Sequence, residues 1–365
     1  MNYAYKLRLH AYYGLGQMVK YRNALDGLRA ICIIFTIFNH ISFVPSYIDG
    51  SFGVDIFFAL SGWLITWLLL RDSSQDQKIN LKSFYIRRFF RIVPLYAFTI
   101  FIYFCASELL ARIGQPEKQH EFFNALPYIA SFNSEFRPVE AGNSFLHAWT
   151  LGIEEKFYII WPCILFFLLK KPLWAFTISA LIIGGLLFAS NGESFFVRGY
   201  FGLAFGALLA IIVKNKPHLI DIFKKSEIAS ICVGLMVLTY IASLIFPMVN
   251  IWNLAMSFCG AGLVASLWFN EDSPTSRILS FSPLAWAGKL TFAIYLTHVL
   301  VLNAVEIGID KLGLENSMML EFTLAYPLSI AFAYILHITI EKPCITMGRK
   351  IASGPIFQAG FSPRI

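Results

Sequence analysis

Charge is scarce in this chain: only 14% of its 365 residues are Asp, Glu, Lys or Arg, while 57% are hydrophobic and 36 are phenylalanine. With a mean hydropathy of +0.64, that balance excludes an ordinary water-soluble domain. The six cysteines contain no CxxC pair and sit mostly within apolar runs. This argues against a disulfide framework or a zinc site and for small core residues. No Asn-x-Ser/Thr sequon occurs, in keeping with a bacterial inner membrane. Residues 1–24 are basic and rich in tyrosine, with no apolar core and no small-residue cleavage site, so they read as a cytoplasmic lead-in and not as a signal peptide. There is no internal repeat of the kind many transporters carry.

What is present is a series of apolar runs, about ten of them, each long enough to cross a hydrocarbon core of roughly 30 Å. They run over 25–44, 52–70, 86–110, 146–169, 173–189, 196–213, 228–246, 251–269, 284–307 and 320–340. Most lysines and arginines fall on one side of these runs, at Arg71 to Arg91, Lys214 to Lys225 and Lys342 to Lys350 among others. By the positive-inside rule that side is cytoplasmic, and so are both termini. The net charge of +7 comes largely from this collar, so it is no argument for nucleic-acid binding. The expected fold is an all-α polytopic bundle over 25–343, with a cytoplasmic segment at 1–24 and a cytoplasmic tail at 344–365. The longest connection, 112–145, carries Pro116, Pro127 and Pro138 and is expected to be an outer loop serving as lid or acceptor platform.

Polar side chains inside such runs are costly and usually face a cavity or a partner. With a rise of 1.5 Å per residue, His40 lies about 8 Å below the outer surface, Asp55 about 6 Å, and Glu154 and His298 about 10 Å. Residues eleven apart on a helix differ by only about 20° from three full turns, so Arg29 and His40 share a face about 16 Å apart. His147, Glu154, Tyr158 and Trp161 form a second polar and aromatic stripe. Each group also has a plainer reading. Arg29, Arg87, Arg88 and Arg91 are placed as snorkelling anchors would be; His147 lies at a boundary where solvation suffices; His298 suits a hydrogen bond between helices; Asp55 suits a helix cap. Glu154 and His40 lie too deep for such roles.

Six blocks, YRNALDGLRAICIIFTIFNH, FGVDIFFALSGWLITWLLL, LKSFYIRRFFRIVPLY, FLHAWTLGIEEKFYIIWP, GKLTFAIYLTHVLV and IEKP, closely resemble, in this order, the acyltransferase 3 family of membrane O-acyltransferases. The resemblance runs from Tyr21 to Pro343. It implies a bacterial inner-membrane enzyme that moves an acyl group, usually acetyl, from cytoplasmic acyl-CoA to a hydroxyl of a glycan, glycolipid or lipochitooligosaccharide at the outer side. The family's Arg-x10-His motif maps onto Arg29 and His40, its Arg-x-x-Arg onto Arg88 and Arg91, and its glutamate onto Glu154. Departures are Thr150 and Thr291 in place of serine, Phe292 in place of tyrosine, and Lys156 where a charge is unusual. The chain resembles the short members that lack a hydrolase-like domain.

On this reading Arg29, Arg88 and Arg91 hold the CoA phosphates, and the pantetheine arm spans the distance to His40. His40 is the general base, or carries the acyl group covalently. Glu154 orients the imidazole. Asp55, Trp149, Tyr158 and His298 are expected to bind substrate. No metal and no permanently bound cofactor is expected; acetyl-CoA is a donor substrate. Two alternatives stay open: succinyl transfer to a similar glycan, and a proton-coupled glycan transporter or flippase, which would also want intramembrane His and carboxylate groups.

Overall fold

The computed structural model describes residues 22–45, 47, 49–76, 80–167, 171, 174, 177, 197–246 and 249–353. The N-terminal segment up to residue 21, the expected span over 173–189 (except 174 and 177) and the tail from 354 onward lie outside the described residues. Every regular element among the described residues is a helix. In chain order these are α1 (Asn23–Phe38), α2 (Phe52–Asp76), α3 (Leu81–Arg112), α4 (Pro116–Ala130), α5 (Trp149–Phe167), α6 (Val197–Asn215), α7 (Leu219–Phe223), α8 (Ser226–Ile245), α9 (Val249–Phe269), α10 (Pro274–Leu279), α11 (Ser282–Lys289), α12 (Thr291–Lys311) and α13 (Met318–Leu336). A π-helical turn, His337–Glu341, then leads into α14 (Lys342–Ser353).

Seven helices among the described residues are long and apolar enough to cross a membrane: those at Phe52–Arg71, Leu81–Arg112, Val197–Asn215, Ser226–Ile245, Ile251–Phe269, Thr291–Lys311 and Met318–Ser353. About ten were expected by length. Of the remainder, one lies in 173–189. α5 has 19 residues but carries Glu154, Glu155 and Lys156 in succession. α1 has only 16 residues, where a span through Val44 was expected. Proline at position 45 has no N–H, its ring clashes with the carbonyl four residues earlier, and it pushes the preceding residue out of the helical region. A helix continuing through Val44 is therefore blocked.

The connection 112–145 is not an irregular loop. Pro116 starts α4 at a position where its missing N–H costs nothing, and Phe122, Ala125 and Ile129 form its buried face. That face lies on α3, whose Tyr96 hydroxyl donates to the Ile129 carbonyl at 2.8 Å. The rest of the connection folds back over α5. Lys156 donates to Glu135 Oε1 and to the Phe132 carbonyl, both at 2.6 Å. The unusual charge at 156 is thus neutralised by a carboxylate only 6% exposed.

At the centre α2 lies against α6 almost backbone to backbone. A Cβ on Gly62 would sit 2.1 Å from the Leu203 carbonyl oxygen, and one on Gly206 2.1 Å from that of Ala59. Small residues at such a seam are what bring helices together where lipid removes the hydrophobic drive. The seam is closed at one end by Asp55, which is fully buried and receives Arg198 at 2.6 and 2.9 Å. Arg198 also donates to the Ser51 carbonyl at 3.0 Å. The expectation that Asp55 binds substrate is therefore corrected: its carboxylate is occupied by a bidentate ion pair that joins α2 to α6.

Two outcomes follow in thermal unfolding of detergent-solubilised protein. Gly206→Leu forces a side chain into the Ala59 backbone and is expected to cost about 1–3 kcal/mol or to abolish folding. Asp55→Ala leaves a buried guanidinium without its carboxylate and is expected to cost about 3–5 kcal/mol, with Asp55→Ala/Arg198→Leu recovering part of the loss.

Candidate functional site

The chain leaves α1 at Phe38 and turns. The Asn39 N–H bonds to Phe35 O at 3.1 Å, the His40 N–H to Ile37 O at 2.9 Å, and Phe43 adopts a left-handed φ of 60°. His40 thus projects from a turn and not from a helix face, and the idea of one helical stripe joining it to Arg29 is corrected by the early end of α1. His40 is exposed, and its ring meets two others. His298, from α12, lies 5.1 Å away between centroids, and His147, from the 3-10 turn before α5, lies 5.9 Å away. His147 and His298 are themselves 4.8 Å apart. Three distant segments, at 40, 147 and 298, therefore converge on one imidazole cluster.

The cluster is held by its backbone surroundings. His298 is fully buried, and its Nδ1 lies 2.7 Å from the Tyr295 carbonyl. A carbonyl only accepts, so Nδ1 carries the proton and Nε2 is left with its lone pair. That Nε2 has no hydrogen-bond partner, and neither has Nε2 of His147 or the hydroxyl of Tyr103. Tyr103 stands beside His147, with ring centroids 6.5 Å apart. The Tyr295 hydroxyl donates to the His147 carbonyl at 2.6 Å and shares a 2.5 Å hydrogen bond with Thr150 Oγ1, tying α12 to the start of α5. Phe145, at a left-handed φ of 52°, stacks on Tyr103 at 4.4 Å and meets the His147 ring edge-on at 4.9 Å.

Glu154 belongs to a second group. It accepts from Ser61 Oγ at 2.7 Å and from the Tyr158 hydroxyl at 3.1 Å. One turn further along the same face, Trp161 donates to Thr66 at 2.8 Å. Of the stripe read from the sequence, Glu154, Tyr158 and Trp161 face α2, while His147 lies in the turn before α5 and faces His40 and His298. The Arg88 guanidinium lies over the Tyr158 ring at 5.1 Å and the Phe84 ring at 5.6 Å. Glu154 makes no hydrogen bond to His40, so the expected role of orienting that imidazole has no counterpart in the geometry. Arg29 lies against Asp26 at 2.7 Å, with its carboxylate partner 3% exposed, and Arg91 is exposed. The three arginines are thus met by different surroundings. Trp149 is buried against Phe58, ring centroids 6.0 Å apart. Among the described residues, no group of three or more His, Cys, Asp or Glu side chains is arranged to hold a metal ion.

His147 was assigned a boundary role because it begins a run, and nothing in its spacing tied it to His40. Tyr103, Tyr295 and Ser61 were missed for the same reason. The only available signal was that a polar group in an apolar span requires a partner on another helix.

Residues 22–338 match the acyltransferase domain family. Over 312 residues the chain is 32% identical to the peptidoglycan O-acetyltransferase OatA of Listeria monocytogenes, covering 76% of this chain and 49% of that protein. It is 28% identical over 375 residues to the O-acetyltransferase OatA of Staphylococcus aureus, covering 94% and 58% respectively. It is 26% identical over 376 residues to the putative peptidoglycan O-acetyltransferase YrhL of Bacillus subtilis, covering 93% and 57%. The chain therefore spans about half the length of these curated relatives. No solved structure matches it. With the family match covering most of its length and its apolar helices crossing the bilayer repeatedly, the chain belongs to the acyltransferase 3 family of multi-pass membrane proteins.

Proposed function

We propose that this protein is a membrane O-acetyltransferase that transfers an acetyl group from acetyl-CoA on the cytoplasmic side of a bacterial inner membrane to a hydroxyl of an envelope or secreted glycan. Three of the relatives are named for O-acetyl transfer, two of them to peptidoglycan. The observation that carries the reading is the histidine cluster, in which the exposed His40 stands 5.1 Å from a buried ring whose tautomer leaves Nε2 free to accept a proton.

In the reaction, His40 takes the proton of the acceptor hydroxyl as the oxygen attacks the thioester carbonyl. The tetrahedral adduct collapses with cleavage of the carbon–sulfur bond, and the CoA thiolate takes up the proton that His40 accepted, which returns the imidazole to its neutral form. The rings of His298 and His147 pack beside His40 and fix where its imidazole lies. Arg88 and Arg91 on the basic side of α3, with Arg29, receive the CoA phosphates by charge-assisted bonds. Glu154, bound to Ser61 and Tyr158 and close to Arg88, is assigned to the donor path. Trp149 and Tyr158 line the passage between donor and base.

The test is thiol release from acetyl-CoA by the purified protein in lipid nanodiscs, with a soluble chitin oligosaccharide as acceptor. His40→Ala is expected to lower kcat by about 10²- to 10⁴-fold. Arg88→Ala is expected to raise the KM for acetyl-CoA by about tenfold or more with a smaller change in kcat. The rate is expected to fall on acidification, because a protonated imidazole cannot accept the hydroxyl proton, and the same limb is expected to be missing from the residual rate of His40→Ala. Preference for succinyl-CoA would replace the acetyl assignment. Glycan flux without any acyl-CoA consumption would replace the enzyme with a transporter.

A further inference from the structure

The turn that carries His40 is held on both sides by two consecutive residues of α13. Phe322 stacks on Phe38, two residues before His40, with centroids 4.4 Å apart and planes 13° from parallel. Glu321, 1% exposed, accepts the backbone N–H of Ser42, two residues after His40, at 3.1 Å. The Ser42 hydroxyl in turn donates to Glu306 Oε1, from α12, at 3.2 Å. α12 is also the helix that presents His298, so one helix pair holds both the turn and the ring that His40 faces. Among the described residues His40 makes no side-chain hydrogen bond, and its turn has only a few backbone bonds of its own. Glu321 lies in the first turn of α13, where the helix N-terminus favours a carboxylate, and it directs Oε2 to a backbone N–H of the turn that carries His40.

We infer that Glu321 is a positioning residue for His40, acting through Ser42 with Glu306 as its second arm. The inference rests on His40 being the proton acceptor of the proposed reaction. The clamp fixes the turn so that the imidazole stands beside the His147 and His298 rings. Those two rings are the titratable groups that face His40, while Glu306 and Glu321 face Ser42. The chemistry requires the hydroxyl, the thioester carbonyl and the imidazole to meet within a few tenths of an ångström, so a turn released by about 1 Å is expected to slow the reaction without weakening donor binding.

Two variants separate positioning from bulk stability. Glu321→Gln keeps a carbonyl oxygen for the Ser42 N–H, and Glu321→Leu removes it. Each is assayed for acetyl-CoA thiol release with the chitin oligosaccharide. Each is also assayed for carbethoxylation of His40 by diethyl pyrocarbonate, read by mass spectrometry, with the exposed His120 as internal control. Glu321→Leu is expected to lower kcat about 10- to 100-fold with KM for acetyl-CoA within about twofold. It is also expected to change His40 carbethoxylation by about threefold or more, with His120 unchanged. Glu321→Gln is expected to restore both readouts to near wild type. Should Glu321→Leu not fold, Ser42→Ala, which removes only the Glu306 arm, is expected to lower kcat by about two- to tenfold with KM unchanged. The inference is overturned if the variant that folds keeps wild-type kcat and His40 reactivity, or if Gln is as impaired as Leu in both. If the wild-type protein consumes no acetyl-CoA, the proposed function fails, and the His40 reactivity comparison still decides whether the clamp exists.

Discussion

Most buried polar groups among the described residues are arranged under one constraint: in an apolar bundle a donor, acceptor or charge without a partner costs about 1–3 kcal/mol, and an ion considerably more. The pairs that satisfy it also assemble the fold. Asp55 and Arg198 join α2 to α6; Glu135 and Lys156 fold the long connection onto α5; Ser61 and Tyr158 receive Glu154. Each pair links elements far apart in the chain or successive turns that face a neighbour. Charge, so sparing in the composition, is used here chiefly to define which helices lie beside one another.

Departures from that rule are scattered through the molecule, and three of them are neighbours: Nε2 of His147, Nε2 of His298 and the Tyr103 hydroxyl are buried polar atoms without partners among the described residues. Leaving such atoms unsatisfied is what a site for a polar ligand requires, since the ligand supplies the missing bonds. The exposed His40 stands at the edge of this group. Its turn is possible because α1 stops ahead of Pro45, and its placement depends on α12 and α13.

Helical class and the positions of most spans were readable because apolar period and composition are local properties of the chain. The extent of α1 was misjudged by counting apolar residues past His40 without giving Pro45 its due. Asp55 was misassigned because depth alone does not distinguish a ligand from the partner of an arginine 143 residues away. The helix inside 112–145 was legible in principle from Pro116 and the spacing of Phe122, Ala125 and Ile129, but its prolines drew the reading toward a loop.

By itself the sequence determined that the chain is helical, that it lives in a membrane, and which few residues carry charge or imidazole there, because these follow from side-chain chemistry and a fixed rise per residue. Only the tertiary structure decided which of those residues meet. Contacts between segments near 40, 147 and 298 depend on how helices cross and where turns are pinned, and at that scale a residue's partner is set by packing and not by its neighbours in the chain.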